Sequence, residues 1–423
     1  MPSKIFELIK KEQEREEKTI NLIASENYAP IEILQATGSV LTNKYAEGYP
    51  GRRYYGGCQI IDQVENYAIE QGKKLFKADH MNVQPNSGST ANMAVYLSCL
   101  NPGDTILAMS LSSGGHLTHG HKINFSGKIF NFIPYHISPE TEQLDYDEIE
   151  ILANQHKPKM IVAGASAYSR TVDFKKFYDI AKKNNCLLFA DMAHIAGLVA
   201  TGIHPSPIPF ADFVSSTTHK TLRGPRGALI CCKAEHAQSV DRSVMPGCQG
   251  GPLMHAIAAK AIAFENAQTP EFKKYQEQVV KNAKIMAKSF QNLDYRIVSG
   301  GTDNHLFMID LRNKNITGKQ AEETLENCGI VLNRNSIPFD TASPLTPNGI
   351  RIGTPAITTR GLLEKDAEQV VAWIDEAIKN KDDEDFCKNL KVKVEQFCSN
   401  FPIYKTLNKN QLSNSSYFSI LES

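Results

Sequence analysis

The central part of the chain alternates between two hydrophobic patterns. From about residue 60 to 265, stretches with apolar residues at helical spacing are separated by short β-rich runs at residues 105–109, 160–163, 186–190 and 228–232. This alternation is typical of a parallel sheet that is covered by helices on both faces. We therefore predict an α/β fold for this region.

The flanking regions show different patterns. Ile5, Leu8 and Ile9 lie at helical spacing, which predicts an amphipathic helix that packs on a larger unit. A long polar helix is predicted around residues 268–284. Strand-like runs at 295–300, 305–311 and 329–333, with helices at 318–327 and near 363–378, indicate a compact α+β domain. The predicted units are an N-terminal helical segment (1–45), a large cofactor-binding domain (46–270), a connecting helix (271–294), a small C-terminal domain (295–405) and a flexible tail (406–423).

Composition narrows the function classes. The chain has 423 residues, of which 41% are hydrophobic, enough for one large and one smaller core. Lys plus Arg and Asp plus Glu both total 46, so no net field favours nucleic acid or a membrane surface. No apolar run approaches the ~20 residues that span a bilayer, and the charged start resembles neither a signal nor a transit peptide. We expect a cytoplasmic protein with reduced cysteines, no metal ion, and neither a nucleic-acid nor a membrane partner.

A carboxylate is predicted at the end of a buried strand. Asp191 follows the run CLLFA, at the carboxyl edge where open parallel sheets bind ligands. A carboxylate there could keep a pyridine nitrogen protonated and so improve pyridoxal phosphate as an electron sink. The alternative is an ordinary Asp that caps the next helix.

A lysine follows the next hydroxyl-rich run. Lys220 could form a Schiff base with the same cofactor, and the alternative is a solvated loop lysine. Because the unperturbed pKa of lysine is about 10.4, this amine must be desolvated or lie near other cations. Arg223 and Arg226 are the candidates for such cations.

A phosphate site is predicted earlier in the chain. Ser87, Gly88 and Ser89 precede a predicted helix, whose unpaired amides and dipole suit a phosphate group. The alternative is a simple serine N-cap. Together with Asp191 and Lys220, this order of elements is typical of the aspartate-aminotransferase type of pyridoxal-phosphate fold.

Several long strings in the chain resemble serine hydroxymethyltransferase. They include NLIASENY, TNKYAEGYPGRRYYGG, GGHLTHG, DMAHIAGL, TTHKTLRGPRGA and RIGTPAIT, and the similarity extends to about residue 404. The resemblance implies an aspartate-aminotransferase-like fold with a large, mainly parallel seven-stranded sheet and a smaller α+β domain. It implies reversible transfer of the hydroxymethyl group of L-serine to tetrahydrofolate, the co-substrate, giving glycine and 5,10-methylenetetrahydrofolate. The implied cofactor is pyridoxal 5'-phosphate, held covalently by Lys220.

The resemblance also implies roles for individual residues. The implied catalytic set, in which Glu47 is the general acid and base, is Lys220, Glu47, His116, Asp191, Thr217 and Tyr45. The cofactor is implied to contact Ser87, Gly88, Ser89, His116, Ser166, Asp191, His194, His219 and Lys220, with Tyr45, Gly250 and Gly251 supplied by a neighbouring subunit. These shared contacts imply a homodimer with shared active sites.

Two further sets follow from the same resemblance. The substrate is implied to contact Ser25, Glu47, Tyr55 and Arg351, whose guanidinium fork matches a carboxylate. The folate is implied to contact Leu111, Gly115, His116, Leu117, Asn335, Ser343, Pro344 and Leu345. The chain departs from the family pattern at Cys248 and Leu345, where relatives have a glycine and an aromatic residue, and the second change bears on folate affinity.

The sequence disfavours three other functions. A threonine aldolase or glycine acyltransferase shares the lysine, aspartate and phosphate site but needs no folate, and the strings around Glu47 and Leu117 argue against it. A catalytically silent scaffold is disfavoured because Lys220, Asp191 and Arg351 are all present. A Rossmann dehydrogenase is disfavoured because no predicted strand is followed by G-x-G-x-x-G.

Overall fold

The computed structural model describes residues 3–343 and 345–404. The strands are β1 (Ile20–Asn21), β2 (Gly48–Tyr49), β3 (Arg52–Arg53), β4 (His80–Asn82), β5 (Thr105–Met109), β6 (Asn131–Tyr135), β7 (Met160–Gly164), β8 (Leu187–Asp191), β9 (Phe213–Thr217), β10 (Ala228–Cys232), β11 (Arg296–Ile297), β12 (Leu306–Asp310), β13 (Ile330–Val331), β14 (Asn333–Asn335) and β15 (Gly349–Gly353). The α-helices are α1 (Lys4–Lys18), α2 (Ile31–Thr37), α3 (Gln59–Phe76), α4 (Gly88–Cys99), α5 (Phe125–Ile129), α6 (Tyr146–His156), α7 (Phe174–Lys183), α8 (Ala196–Ala200), α9 (Ala237–Arg242), α10 (Met254–Ala267), α11 (Pro270–Asn292), α12 (Gly318–Asn327), α13 (Pro355–Arg360), α14 (Glu364–Lys379) and α15 (Glu384–Ser399).

A seven-stranded sheet forms the centre of the fold. Its strand order is β4-β10-β9-β8-β7-β5-β6, and all neighbouring pairs are parallel except the two made by β10. The predicted α/β class with a mainly parallel seven-stranded sheet is therefore confirmed. The antiparallel direction of β10 was not predicted, because an apolar run carries no information on strand direction.

The sheet is buried on both faces. Along β7, Met160 and Val162 belong to one hydrophobic core, whereas Ile161 and Ala163 belong to another. This alternation follows from the two-residue period of a strand, which directs successive side chains to opposite faces. Because both faces are covered by helices, the carboxyl edge of the parallel strands is left for a binding site.

A smaller antiparallel sheet, in the order β11-β12-β15-β14, has its own hydrophobic core. This core also contains Ile20 and Leu22, because β1 pairs with β13. Helix α12 has the bounds predicted from the sequence, whereas α15, which follows the predicted final helix, was not predicted. The strand predicted at 295–300 is short, because Ser299 has a positive φ of 56° and interrupts it.

The N-terminal segment differs from its prediction in one respect. Helix α1 forms and contacts α15, but Ile5, Leu8 and Ile9 on its apolar face are 55%, 47% and 55% exposed, so the described residues cover this face only in part. The predicted domain bounds stay a prediction, and residues 405–423, which include the predicted tail, lie outside the described residues. Within the described ranges, no helix has the length and apolar character needed to cross a bilayer.

Candidate active site

A cavity of about 600 Å³ opens at the carboxyl edge of the large sheet. It is formed by loops that follow β5, β7, β8 and β9 and by residues of the smaller sheet. Its walls contain most of the residues predicted from the sequence, namely Ser25, Ser87, Gly88, Ser89, Leu111, Gly115, His116, Leu117, Ser166, Asp191, His194, Thr217, His219, Lys220, Asn335 and Arg351. The structure therefore brings these residues together around one space.

Lys220 is a buried amine in the cavity wall. It is 9% exposed, and burial lowers its pKa to about 8, helped by the nearby Arg351 and Arg226 and opposed by Asp191. The interpretation that Arg223 contributes to this field is wrong. Its guanidinium lies 4.5 Å from the ring centroid of Tyr275 instead.

Asp191 ends strand β8 and is held as an anion. Its Oδ2 accepts hydrogen bonds from Asn92 Nδ2 at 2.9 Å and from His119 Nε2 at 3.2 Å. His119 Nδ1 accepts from the backbone N–H of His116 at 3.1 Å, so the ring proton is on the nitrogen that faces the carboxylate. Burial alone would raise the pKa of Asp191, but the hydrogen bonds from His119 and Asn92 hold it well below its usual value.

The N-terminus of α4, whose first N–H groups have no partner within the helix itself, faces the cavity. Ser87 caps this helix by accepting from the backbone N–H of Thr90 at 3.2 Å. A Cβ on Gly88 would lie 2.8 Å from Thr217, so only glycine fits at the first helical position. Opposite, His219 Nδ1 is buried without a hydrogen-bond partner among the described residues, and burial lowers the pKa of its ring to about 3.

These features fit a phosphorylated pyridine cofactor. The free amides of α4 suit a phosphate, and the orphaned His219 Nδ1 suits a polar atom of the same group. The Asp191 carboxylate suits a protonated ring nitrogen, and the Lys220 amine suits an aldehyde. Each of these four protein groups can still form a further hydrogen bond, ion pair or covalent bond, because the described protein atoms do not use its full capacity.

Arg351, in β15, is a second cation of the cavity. Its NH1 donates to the Ser166 carbonyl at 2.8 Å and its Nε to Asn333 Oδ1 at 3.2 Å. The ion pairs among the described residues include none to this arginine, and burial lowers its pKa to about 10. A buried guanidinium without a carboxylate partner in its own chain suits an anionic ligand.

Two histidines of the cavity are neutral. Burial lowers the pKa of His116 to about 4, and its Nδ1 accepts from the backbone N–H of Thr118 at 3.2 Å. Burial also lowers the pKa of His194, whose Nδ1 lies 3.3 Å from His305 Nε2. An uncharged ring such as that of His116 can stack on a planar cofactor without adding a positive charge.

Another predicted group lies away from this cavity. Tyr45, Glu47, Tyr55, Gly250 and Gly251, here named the Glu47 cluster, are absent from the walls described above. Tyr45 Oη donates to Glu47 Oε1 at 3.3 Å, and the rings of Tyr45 and Tyr55 are 4.9 Å apart. Cβ atoms built on Gly250 and Gly251 would lie 2.9 Å from Glu47 and 3.1 Å from Tyr45. These residues meet one another on the surface, as expected if they serve a neighbouring subunit.

Only some of the residues predicted to contact folate line the cavity. Asn335 lines the cavity with Leu111, Gly115 and Leu117. Ser343 and Leu345 do not line it, and Leu345 is 75% exposed. Pro344 lies outside the described residues.

Sequence reasoning missed two partners of Asp191. Asn92 lies on α4, one turn after the phosphate residues, and His119 lies in the string GGHLTHG that contains His116. Each of the two residues lies in or next to a motif that the sequence analysis had already identified, and this proximity could have indicated them. Their common target became visible only in the folded chain, because Asn92 and Asp191 are 99 residues apart.

A comparison with protein families agrees with this site. The family model described as serine hydroxymethyltransferase matches residues 1–374, which include every cavity residue discussed above. Members of this family are transferases that interconvert serine and glycine with folate-dependent one-carbon transfer and a pyridoxal-phosphate cofactor. The chain belongs to the serine hydroxymethyltransferase family.

Proposed function

We propose that this protein transfers the hydroxymethyl group of L-serine reversibly to tetrahydrofolate, giving glycine and 5,10-methylenetetrahydrofolate. The observation that carries the proposal is the convergence of Lys220, Asp191 and Arg351 on one cavity next to the free amides of α4. An amino-acid substrate bound to a phosphorylated pyridine cofactor would contact all four of these protein groups.

The cofactor contacts are proposed residue by residue. Lys220 would hold the aldehyde carbon, Asp191 the ring nitrogen, and His116 one face of the ring. The phosphate would bind the amides at Ser87–Ser89 together with His219. When bound, pyridoxal 5'-phosphate supplies an electron sink for the substrate bond that breaks.

The chain's own groups orient the substrate and handle its proton. Arg351 would bind the substrate carboxylate as a bidentate fork, with Ser25 beside it, and so fix which substrate bond is perpendicular to the ring. His194 and Ser166 would line the phenolic side of the cofactor, and Thr217 would lie below it. Glu47 of a neighbouring subunit would take the proton of the serine hydroxyl and return it in the reverse direction.

The folate is proposed to enter between apolar and polar walls. Leu111 and Leu117 offer an apolar surface to a flat pterin, and Asn335 offers an amide to its edge. Ser343 and Leu345 would contact the more distant part of the same ligand.

The proposed homodimer is supported by the separation of the Glu47 cluster from the cavity of its own chain. A heterodimer of a Lys220→Ala chain and a Glu47→Gln chain tests it, because one of its two sites then holds both native groups. We expect about half of the wild-type activity in the purified heterodimer, whereas either homodimer is nearly inactive. An inactive heterodimer would contradict the shared site.

The reaction itself is tested with labelled serine. Incubation with and without tetrahydrofolate, followed by quantification of glycine and 5,10-methylenetetrahydrofolate, separates this function from an aldolase. We expect serine cleavage to be faster by about 100-fold or more when tetrahydrofolate is present. Equal cleavage without folate would favour the aldolase.

A further inference from the structure

A buried arginine holds the backbone on both sides of Glu47. The Arg53 side chain is 4% exposed, and its NH1 donates to the carbonyl of Ala46 at 2.9 Å and to that of Gly48 at 3.0 Å. The Glu47 carbonyl itself accepts from the backbone N–H of Tyr54 at 3.0 Å. Because Glu47 lies between the two carbonyls that Arg53 binds, this guanidinium limits where the Glu47 side chain can point.

Two carboxylates hold the guanidinium in place. Arg53 Nε donates to Asp62 Oδ1 at 2.8 Å, and its NH2 donates to Glu65 Oε2 at 2.5 Å. Glu65 is fully buried in α3. A planar fork with five N–H groups can serve these four acceptors in different directions, which an ammonium group on a flexible stem cannot.

The other oxygen of Glu65 connects this arrangement to the cofactor cavity. Gln84 Nε2 donates to Glu65 Oε1 at 2.7 Å and to the Gly48 carbonyl at 3.0 Å. Gln84 lies in the loop between β4 and α4, three residues before Ser87. Gln249, which directly precedes the two glycines of the Glu47 cluster, donates to the Gln84 carbonyl at 3.0 Å. One buried network therefore joins the phosphate loop to both parts of the cluster.

We propose that Arg53 is a positioning residue for the transfer reaction, which orients Glu47 toward the cavity of the neighbouring subunit. The inference rests on the proposed function, in which Glu47 serves that neighbour. Arg53 touches neither substrate nor cofactor in this arrangement, so its whole effect on catalysis passes through the Glu47 carboxylate. Arg52 is the matched control, since it is adjacent and equally charged but exposed.

The first experiment uses the heterodimer of Lys220→Ala and Glu47→Gln chains, which has one complete site. Arg53→Lys is added to one chain at a time, and kcat and KM for serine are measured. On the Lys220→Ala chain, which supplies the native Glu47, we expect kcat to fall about 100-fold while KM stays within about twofold, because Arg351 is untouched. On the Glu47→Gln chain, we expect kcat to change by less than about threefold.

The outcomes separate this inference from the proposed function. Equal losses from both placements, or no loss from either, would overturn the role of Arg53. If the heterodimer without the Arg53 change is inactive, the shared site fails instead. In that case Arg53→Lys is tested in the Glu47→Gln homodimer. Because the Glu47 carboxylate is already absent there, Arg53→Lys should lower the residual kcat by less than about threefold. A fall as large as the one that Arg53→Lys causes beside the native Glu47 contradicts the inference.

A second readout does not depend on turnover. Amide hydrogen exchange across residues 44–55 should be faster in Arg53→Lys than in Arg52→Lys, because Arg53 binds the Ala46 and Gly48 carbonyls whereas Arg52 is exposed. Unchanged exchange would count against the inference. If Arg53→Lys does not fold, Glu65→Gln replaces it, since it keeps the side-chain shape but removes the charge that holds Arg53. We expect the same one-sided loss in the heterodimer, of about tenfold, and its absence overturns the proposal.

Discussion

The lowered pKa of Lys220 predicts how the apoprotein takes up pyridoxal 5'-phosphate as the pH changes. Its pKa is about 8, because the amine is buried near Arg351 and Arg226. At pH 7 about one tenth of the amine is then neutral, against about one part in 2,500 for a free lysine with a pKa of about 10.4. Since only the neutral amine attacks an aldehyde, this environment should speed attachment about 250-fold at pH 7.

The assay is stopped-flow absorbance of apoprotein mixed with pyridoxal 5'-phosphate between pH 6 and 10, with borohydride reduction and peptide mass to verify that Lys220 is labelled. The rate should rise about tenfold per pH unit at low pH and level off above about pH 8. Arg226→Gln should move the midpoint upward, because it removes a positive charge that lowers the pKa of Lys220. Arg223→Gln is the control and should leave the midpoint in place, since Arg223 stacks on Tyr275. A midpoint near that of free lysine, or an equal shift in both variants, would refute the reasoning.

Two further predictions concern other arginines. Arg351→Lys should raise KM for serine by about 100-fold with an unchanged Tm, because an ammonium loses the bidentate match to a carboxylate; a normal KM in steady-state kinetics would remove Arg351 from the substrate site. Arg360 donates to five backbone carbonyls at the ends of α1 and α15. Arg360→Lys, with three donors, loses at least two of these bonds and should lower the free energy of unfolding by about 3 kcal/mol in urea titrations, and a loss below about 1 kcal/mol would contradict this role.

The sequence predicted the parts of the fold that depend on local patterns. Apolar runs identified β5, β7, β8 and β10, because a strand buried on both faces must be apolar along its whole length. Helix α12 was predicted with its observed bounds, and the structure shows that Thr317 caps it and that Gln320 completes a capping box. The long family strings pointed to the cavity residues, which the fold then brought to one place.

The sequence did not predict features that depend on distant neighbours. Which arginine acts on Lys220 could not be read from spacing, since Arg223 and Arg226 follow it closely but point to different surroundings. Likewise, the apolar face of α1 was recognised from its periodicity, but a periodicity does not tell whether the same chain covers that face.

What the sequence by itself determined was therefore the set of elements and the chemical groups at their ends, because strand and helix periodicity act over a few residues. What only the tertiary structure decided was the state and direction of those groups. A hydrogen bond that holds Asp191 as an anion comes from His119, 72 residues away, and the backbone on both sides of Glu47 is bound by Arg53, whose carboxylate partner Glu65 lies in α3. Electrostatic fields and hydrogen-bond partners depend on distance in space, and only the folded chain determines that distance.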